Sequence, residues 1–148
     1  MEGLLQELRD QREIEALLSR YASALDARDW ERLESCFTET AVADYGGLLG
    51  RREGAGSIVA ACRSVLEPLD ASQHLIGTIE IQLGGDEARS QCAFQAQHVR
   101  RRVEGGANFT VGGHYRDELV RTPAGWRIHR RELVATWHDG NPRVVAPE

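Results

Sequence analysis

Between Leu4 and Leu25 the apolar residues Leu4, Leu8, Ile14, Leu17, Leu18, Tyr21 and Leu25 recur mostly at three- and four-residue steps. On a helix of 3.6 residues per turn such spacing gathers side chains on one face, so it predicts an amphipathic helix lying on a flatter layer. Asp29 is placed to cap a short second helix over "WERLESCF", because its carboxylate can accept the unpaired amide hydrogens of the first turn. "AVADYGGLLG" has the make-up of a short strand ending in a glycine turn, and "EGAGSIVAACRSVLEPL" reads as a third helix stopped near Pro68.

After His74 the helical period gives way to a period of two. Strands are predicted over roughly 74–83, 87–103, 107–121 and 125–138, with the turn signals "GGDE", "EGG" and "TPAG" between them. Helices followed by a run of long strands predict an α+β domain, its helices on one face of a curved, antiparallel meander. Strands this long need bends, and Gly77, Gly112 and Gly113 are candidates for bulges. Residues 1–148 are expected to form a single domain, with 140–148 a frayed or partner-docking tail.

Strand alternation sorts the histidines. Ala88, Cys92, Phe94, Ala96 and His98 share one phase, with Glu87, Arg89, Gln91, Gln95 and Gln97 on the other, so His98 is expected to face the core. In the next strand Phe109, Val111, Tyr115 and Leu119 point inward, leaving His114, Arg116 and Glu118 on the wetter face. His129, among Arg127, Arg130 and Arg131, is expected at the surface. His74 is out of phase with Leu75, Gly77, Ile79, Ile81 and Leu83, and a bulge at Gly77 would bring it to the same side as the later apolar residues. On the first helix Tyr21 is central to the apolar stripe, and Asp26 falls at its edge, in a last turn that already carries partial negative charge. That misfit marks Asp26 for a task other than helix stability.

Charge narrows the function classes. Eighteen Lys and Arg stand against 23 Asp and Glu, and no like-charge block exceeds "RRR" at 100–102, so nucleic acid is not an expected partner. The acidic, interrupted N-terminus supports neither a signal peptide nor a membrane span, and a cytoplasmic location is expected. Cys36, Cys62 and Cys92 are widely spaced and lack any CxxC, which argues against a disulfide framework and a zinc site. No phosphate-binding or dinucleotide-binding loop, zinc motif or nucleophile elbow is present, so neither cofactor nor metal is expected.

If Asp26 and His74 meet between helix and sheet, the carboxylate would fix the imidazole tautomer and leave the other ring nitrogen to take a proton from a small-molecule substrate. His98 and the phenols of Tyr21, Tyr45 or Tyr115 would donate to a carbonyl or a departing hydroxyl. Elimination, isomerisation and aldol closure all begin in this way.

The segments "REIEALLSRYASALDARDWERLESCFTETAVADY", "SQHLIG" and "GGHYRDELVRTPAGWRIHRRELVATW" resemble the SnoaL-like branch of the nuclear transport factor 2-like superfamily, across nearly the whole chain. The nearest patterns are those of scytalone dehydratase, bile acid 7α-dehydratase and hexachlorocyclohexane dehydrochlorinase. The resemblance implies a cone-shaped α+β barrel in which N-terminal helices and a curved, mixed, mostly antiparallel sheet enclose a deep pocket. It implies Asp26 and His74 as an acid/base dyad, with His98 and Tyr21 also catalytic and with Tyr45, Tyr115 and Phe94 against the substrate. Leu25, where scytalone dehydratase has a second tyrosine, and Gly113 and Tyr115, which replace two polar contacts, argue that the substrate is not scytalone. The implied activity is a cofactor-independent dehydratase acting on a polycyclic, polyketide or steroid-like hydroxy-ketone; an isomerase or polyketide cyclase, or a non-catalytic binding domain, is the alternative. A homodimer or homotrimer through the outer face of the sheet is expected.

Overall fold

The computed structural model describes residues 1–146. Three helices, α1 (Glu2–Ala27), α2 (Trp30–Glu34) and α3 (Ala55–Leu66), pack with six strands: β1 (Phe37–Asp44), β2 (Arg51–Glu53), β3 (Ala71–Gly84), β4 (Glu87–Val99), β5 (Asn108–Thr122) and β6 (Gly125–Gly140). The strands form one sheet in the order β2-β1-β6-β5-β4-β3. Only the β1–β6 pair is parallel. The last four strands make the predicted meander, and the helices close over its concave face to give the cone-shaped α+β fold. The sheet does not close into a barrel, because β2 and β3 remain its edges.

The expected bends are present. The β3–β4 register shifts between Gly77 and Glu80, and the β5–β6 register shifts between Gly112 and Gly113. At Gly113 the partner strand passes so close that any side chain would run into the carbonyl of Val134. The shift beyond Gly77 places His74 and Ile76 on the same face as Ile79, Ile81 and Leu83, whereas Leu75, before the bulge, points outward and is 54% exposed.

Other sequence expectations are corrected. Helix α2 stops at Glu34, and Phe37 begins β1, because the Ile128 amide donates to the Cys36 carbonyl (2.8 Å) and draws this part of the chain onto β6. Asp29 does cap α2, accepting from the Arg32 amide (3.1 Å). Strand β2 was not predicted from sequence; its three residues, all exposed, carry no alternation to read. Leu4 and Leu8 do not belong to the core stripe of α1: residues 1–9 are all exposed, and burial begins at Asp10. Six positions separate Leu8 from Ile14, about 240° of rotation, so the two sets of leucines occupy different faces. The segment expected as a tail contains a 3-10 helix, Pro142–Val145, capped by Asn141 and with Val144 buried against the body; residues 147 and 148 lie outside the described residues.

The core lies between α1, α3 and the concave face. Its largest buried side chains include Trp126, Tyr21, Ile14, Leu17, Leu18, Ile58 and Leu119. At the narrow end Asp10 is clamped by two hydrogen bonds from Arg121 (2.6 and 2.9 Å) and one from Trp126 Nε1 (3.1 Å), tying α1 to the β5–β6 turn. Cys36, Cys62 and Cys92 are all buried free thiols.

Candidate active site

At the wide end of the cone the last turn of α1 meets the start of β3. The helix ends on a left-handed residue, Arg28 (φ 57°), whose amide and the next close back on Leu25 and Ala24. Arg28 also reaches Ser72 Oγ (2.7 Å), pinning the helix end to β3. This fixes Asp26 beside His74. The carboxylate accepts from the His74 backbone amide (3.1 and 2.9 Å) and lies 2.7 Å from its Nδ1. A carboxylate accepts only, so Nδ1 carries the hydrogen, and in the neutral ring Nε2 keeps its lone pair. Main chain and ring of His74 are thus held by one group.

His74 lines a partly open cavity with Tyr21, Tyr45, Phe94, His98 and Tyr115. The structure therefore brings six of the seven expected site residues to one cavity, and the seventh, Asp26, stands behind His74. The rest of the wall is apolar, from Leu25, Leu48, Leu49, Val65, Leu66, Ala96, Val111, Leu133 and Val145, with Cys62 beside Tyr45. Among the described residues no lysine, arginine or carboxylate lines it.

The second histidine does not have the donor role expected for it. His98 is 6% exposed, and its Nδ1 lies 3.0 Å from the Phe109 carbonyl, so Nδ1 again carries the hydrogen. Burial pushes its pKa down to about 4, against a smaller opposing effect of that carbonyl. At neutral pH its Nε2 is therefore an acceptor. The His74 and His98 rings meet edge to face, their centroids 5.9 Å apart.

The hydroxyls supply the donors. Tyr21 and Tyr45 oxygens are 3.0 Å apart, and the Cys62 thiol approaches Tyr45 at 3.6 Å. Burial holds the phenols of Tyr21, Tyr45 and Tyr115 well above their usual range, so all three stay protonated. Phe94 stacks on Tyr115 with centroids 4.5 Å apart, and Tyr115 meets Tyr21 edge to face.

Behind these rings is a group the sequence reading did not find. Arg131 is 1% exposed and makes a bidentate pair with Asp117, both bonds 2.7 Å. Its guanidinium carbon lies 4.1 Å from the Tyr21 ring centre and 4.0 Å from that of Tyr115. The cation thus fixes both aromatic walls. Its Nη1 has no hydrogen-bond partner among the described residues. Asp117 shares the inward phase of Tyr115 and Leu119, so its burial was open to inspection; Arg131, in an arginine-rich stretch, gave no such signal.

The cavity is about 70 Å³, room for roughly two waters and far below the 300 Å³ or more usual for ligand sites. The expected deep pocket is therefore present only as a small, partly open cavity. Its outer wall is Leu48 and Leu49, in the glycine-flanked turn 46–50, together with Val145 of the 3-10 helix. Among the described residues no group of three or more His, Cys, Asp or Glu side chains is arranged to hold a metal. No helix among them is long and apolar enough to cross a membrane.

Comparison with known proteins agrees with this architecture. Residues 6–132 match the SnoaL-like domain. Uncharacterized proteins of Mycobacterium tuberculosis and Mycobacterium bovis are 35% identical over 132 residues, covering 84% of this chain and 84% of theirs. Among solved structures, Kfla4162 from Kribbella flavida superposes with a TM-score of 0.86 at 24% identity, over 94% of this chain and 98% of that one. A candidate scytalone dehydratase from Novosphingobium aromaticivorans gives 0.82 at 24% identity, over 95% and 94%. The hexachlorocyclohexane dehydrochlorinase LinA-type3 from Novosphingobium barchaimii gives 0.82 at 17%, over 93% and 94%. At these identities the structural likenesses speak for the fold alone. With the family match spanning most of its length, the chain belongs to the SnoaL-like domain family.

Proposed function

We propose that the protein is a cofactor-independent lyase of the dehydratase type, acting on a neutral hydroxy-ketone. The observation that carries this reading is the Asp26–His74 pair: a carboxylate 2.7 Å from Nδ1 leaves Nε2 as a base on the wall of a mostly apolar cavity. In the proposed reaction His74 Nε2 takes the proton from the carbon beside the carbonyl, and Asp26 stabilises the imidazolium so formed. The electron pair passes to the carbonyl oxygen, which Tyr21 or Tyr45 binds by donating a hydrogen bond. The carbonyl re-forms as the β-hydroxyl departs, taking its proton from His74, and the products are an enone and water. His98 Nε2 holds the substrate hydroxyl by accepting from it. The candidate dehydratase and the dehydrochlorinase of like fold have names consistent with elimination.

His98 also favours a second reading. As an acceptor it does not protonate a leaving group, so the same base and phenols serve an isomerase or polyketide cyclase equally well. The cavity's lack of charge favours neutral substrates in either case. A polycyclic, polyketide or steroid-like substrate requires Leu48, Leu49 and Val145 to move outward.

The test is incubation with a panel of neutral hydroxy-ketones in D2O, followed by mass spectrometry. Loss of water supports the lyase; deuterium uptake without loss of water supports the isomerase or cyclase. Asp26→Asn and His74→Ala are expected to lower either reaction by about 10² to 10⁴-fold. Activity that survives both substitutions would refute the dyad, and tight binding of a ketone with neither exchange nor conversion would reassign the domain to ligand binding.

A further inference from the structure

The first nine residues of the chain, of which Glu2 onward are helical, are all exposed, and none of them belongs to the core. Their apolar side chains are not scattered. Leu4, Leu5 and Leu8 are 57%, 49% and 54% exposed, and with Met1 they form one stripe. At 100° per residue that stripe is centred about 140° around the helix from the core-facing line through Asp10, Ile14, Tyr21 and Leu25. Leu5 and Leu8 lie well around the helix from that line, and Leu4 falls at its edge, above the buried Ala22. An isolated helix of this length is marginal in water, and three neighbouring exposed leucines are an unusual face to leave bare.

Of the exposed charges, Glu2 is at the start of one flank and Arg9 at its end, followed by Glu13; Arg12 stands at the end of the stripe itself, and Glu7 lies on the opposite flank. Turning a second copy head to tail sets Glu2 of each helix opposite Arg9 and Arg12 of the other, while Leu5 and Leu8 meet near the two-fold axis. The antiparallel arrangement also opposes the helix dipoles favourably. The interface is isologous and closes at two copies.

We infer that the N-terminal overhang of α1 is a self-association surface, pairing antiparallel with the same segment of a second copy through Leu4, Leu5 and Leu8. It is separate from the outer face of the sheet and does not depend on the proposed chemistry. Four apolar side chains per copy bury less than the roughly 1,200 Å² at which stable interfaces begin. The pairing is therefore weak and reversible, with a dissociation constant on the order of 10–100 µM.

Sedimentation velocity of the full chain from about 1 µM to about 1 mM reads this directly. The expected result is a concentration-dependent association step that L5E/L8E weakens by at least about tenfold; these side chains are exposed, so the fold survives, as circular dichroism will verify. Glu2→Arg alone should weaken the step, and combining it with R9E/R12E should restore it, which a merely sticky patch would not do. An absence of concentration dependence, or an association untouched by L5E/L8E, would overturn the assignment. So would L5E/L8E-sensitive binding to anionic lipid vesicles in place of self-association, since that outcome assigns the stripe to a membrane surface.

Discussion

Arg131 shows how much one side chain can hold at the residue scale. It is buried, paired with Asp117 and in contact with the faces of Tyr21 and Tyr115. Removing one member of a buried ion pair leaves the other charge uncompensated, so Arg131→Met should cost about 3–5 kcal/mol in urea denaturation. The double variant R131M/D117L should recover most of that loss. If the single variant costs less than the double, the pair is not the source of the stability. His98 makes a pH-dependent contribution. Its pKa is about 4 in the folded chain against 6.5 ordinarily, so the unfolded chain takes up a proton first as pH falls. Its stability is present above about pH 6.5, declines as pH drops toward 4 and then levels off, a span of about 3 kcal/mol. The unfolding free energies of the parent and His98→Gln should therefore converge between pH 7 and pH 4.5; a constant difference would contradict a neutral buried imidazole. The candidate dyad was legible because Asp26 disagreed with its helix and His74 with its strand. Tautomers were not legible, since they depend on which carbonyl or carboxylate lies opposite a ring, and no strand pattern encodes that.

Helix α1 joins three functions along one element: the exposed overhang, the Asp10 anchor and the Asp26 end. Its phase explains why periodicity alone misassigned Leu4 and Leu8: short steps hold on either side of the six-residue gap between Leu8 and Ile14, and the gap itself rotates the pattern onto another face. The anchor is where the helix first meets the sheet. Arg121 holds the Asp10 carboxyl down to about 2, with Trp126 and Gln6 contributing further hydrogen bonds against the opposing effect of burial. A carboxylate depressed from 3.8 contributes stability that is complete above pH 4 and lost as pH falls through 2. Asp10→Asn is expected to destabilise the protein by about 1–3 kcal/mol at pH 7, because the Arg121 and Trp126 donors lose a charged acceptor. Acid titration of both proteins should show that difference closing between pH 4 and pH 2. A gap that persists at pH 2 would point to packing instead of charge. The strands were read more faithfully, because Gly77, Gly112 and Gly113 announced the bends that change their phase; β2, with three exposed residues, carried no pattern at all.

At the scale of the whole molecule the central question is how a cone with so small a cavity admits a substrate. The site lies in a cavity of about 70 Å³, walled outward by Leu48, Leu49 and Val145. The two segments that carry these residues are lightly held. The turn 46–50 is closed by the Tyr45 and Gly50 amides, which donate to the Gly50 and Gly46 carbonyls (2.9 Å each), and by Asp44 Oδ1 on the Gly46 amide. The 3-10 helix rests on Val144 and the Asn141 cap. By contrast β4 and β5 are hydrogen-bonded to neighbours on both sides along most of their length. Local opening should therefore be confined to the outer wall, since the free energy of opening follows the buried contacts and hydrogen bonds that must break. Amide hydrogen exchange is expected to be faster at Gly50 and Val144 than at Cys92 and Tyr115 by at least about 100-fold, and a bound neutral ketone should slow the first pair selectively. If Gly50 and Val144 exchange as slowly as the central strands, the wall does not open on its own. In that case the dyad is sealed from any substrate larger than a few atoms, and the catalytic reading fails along with the gate.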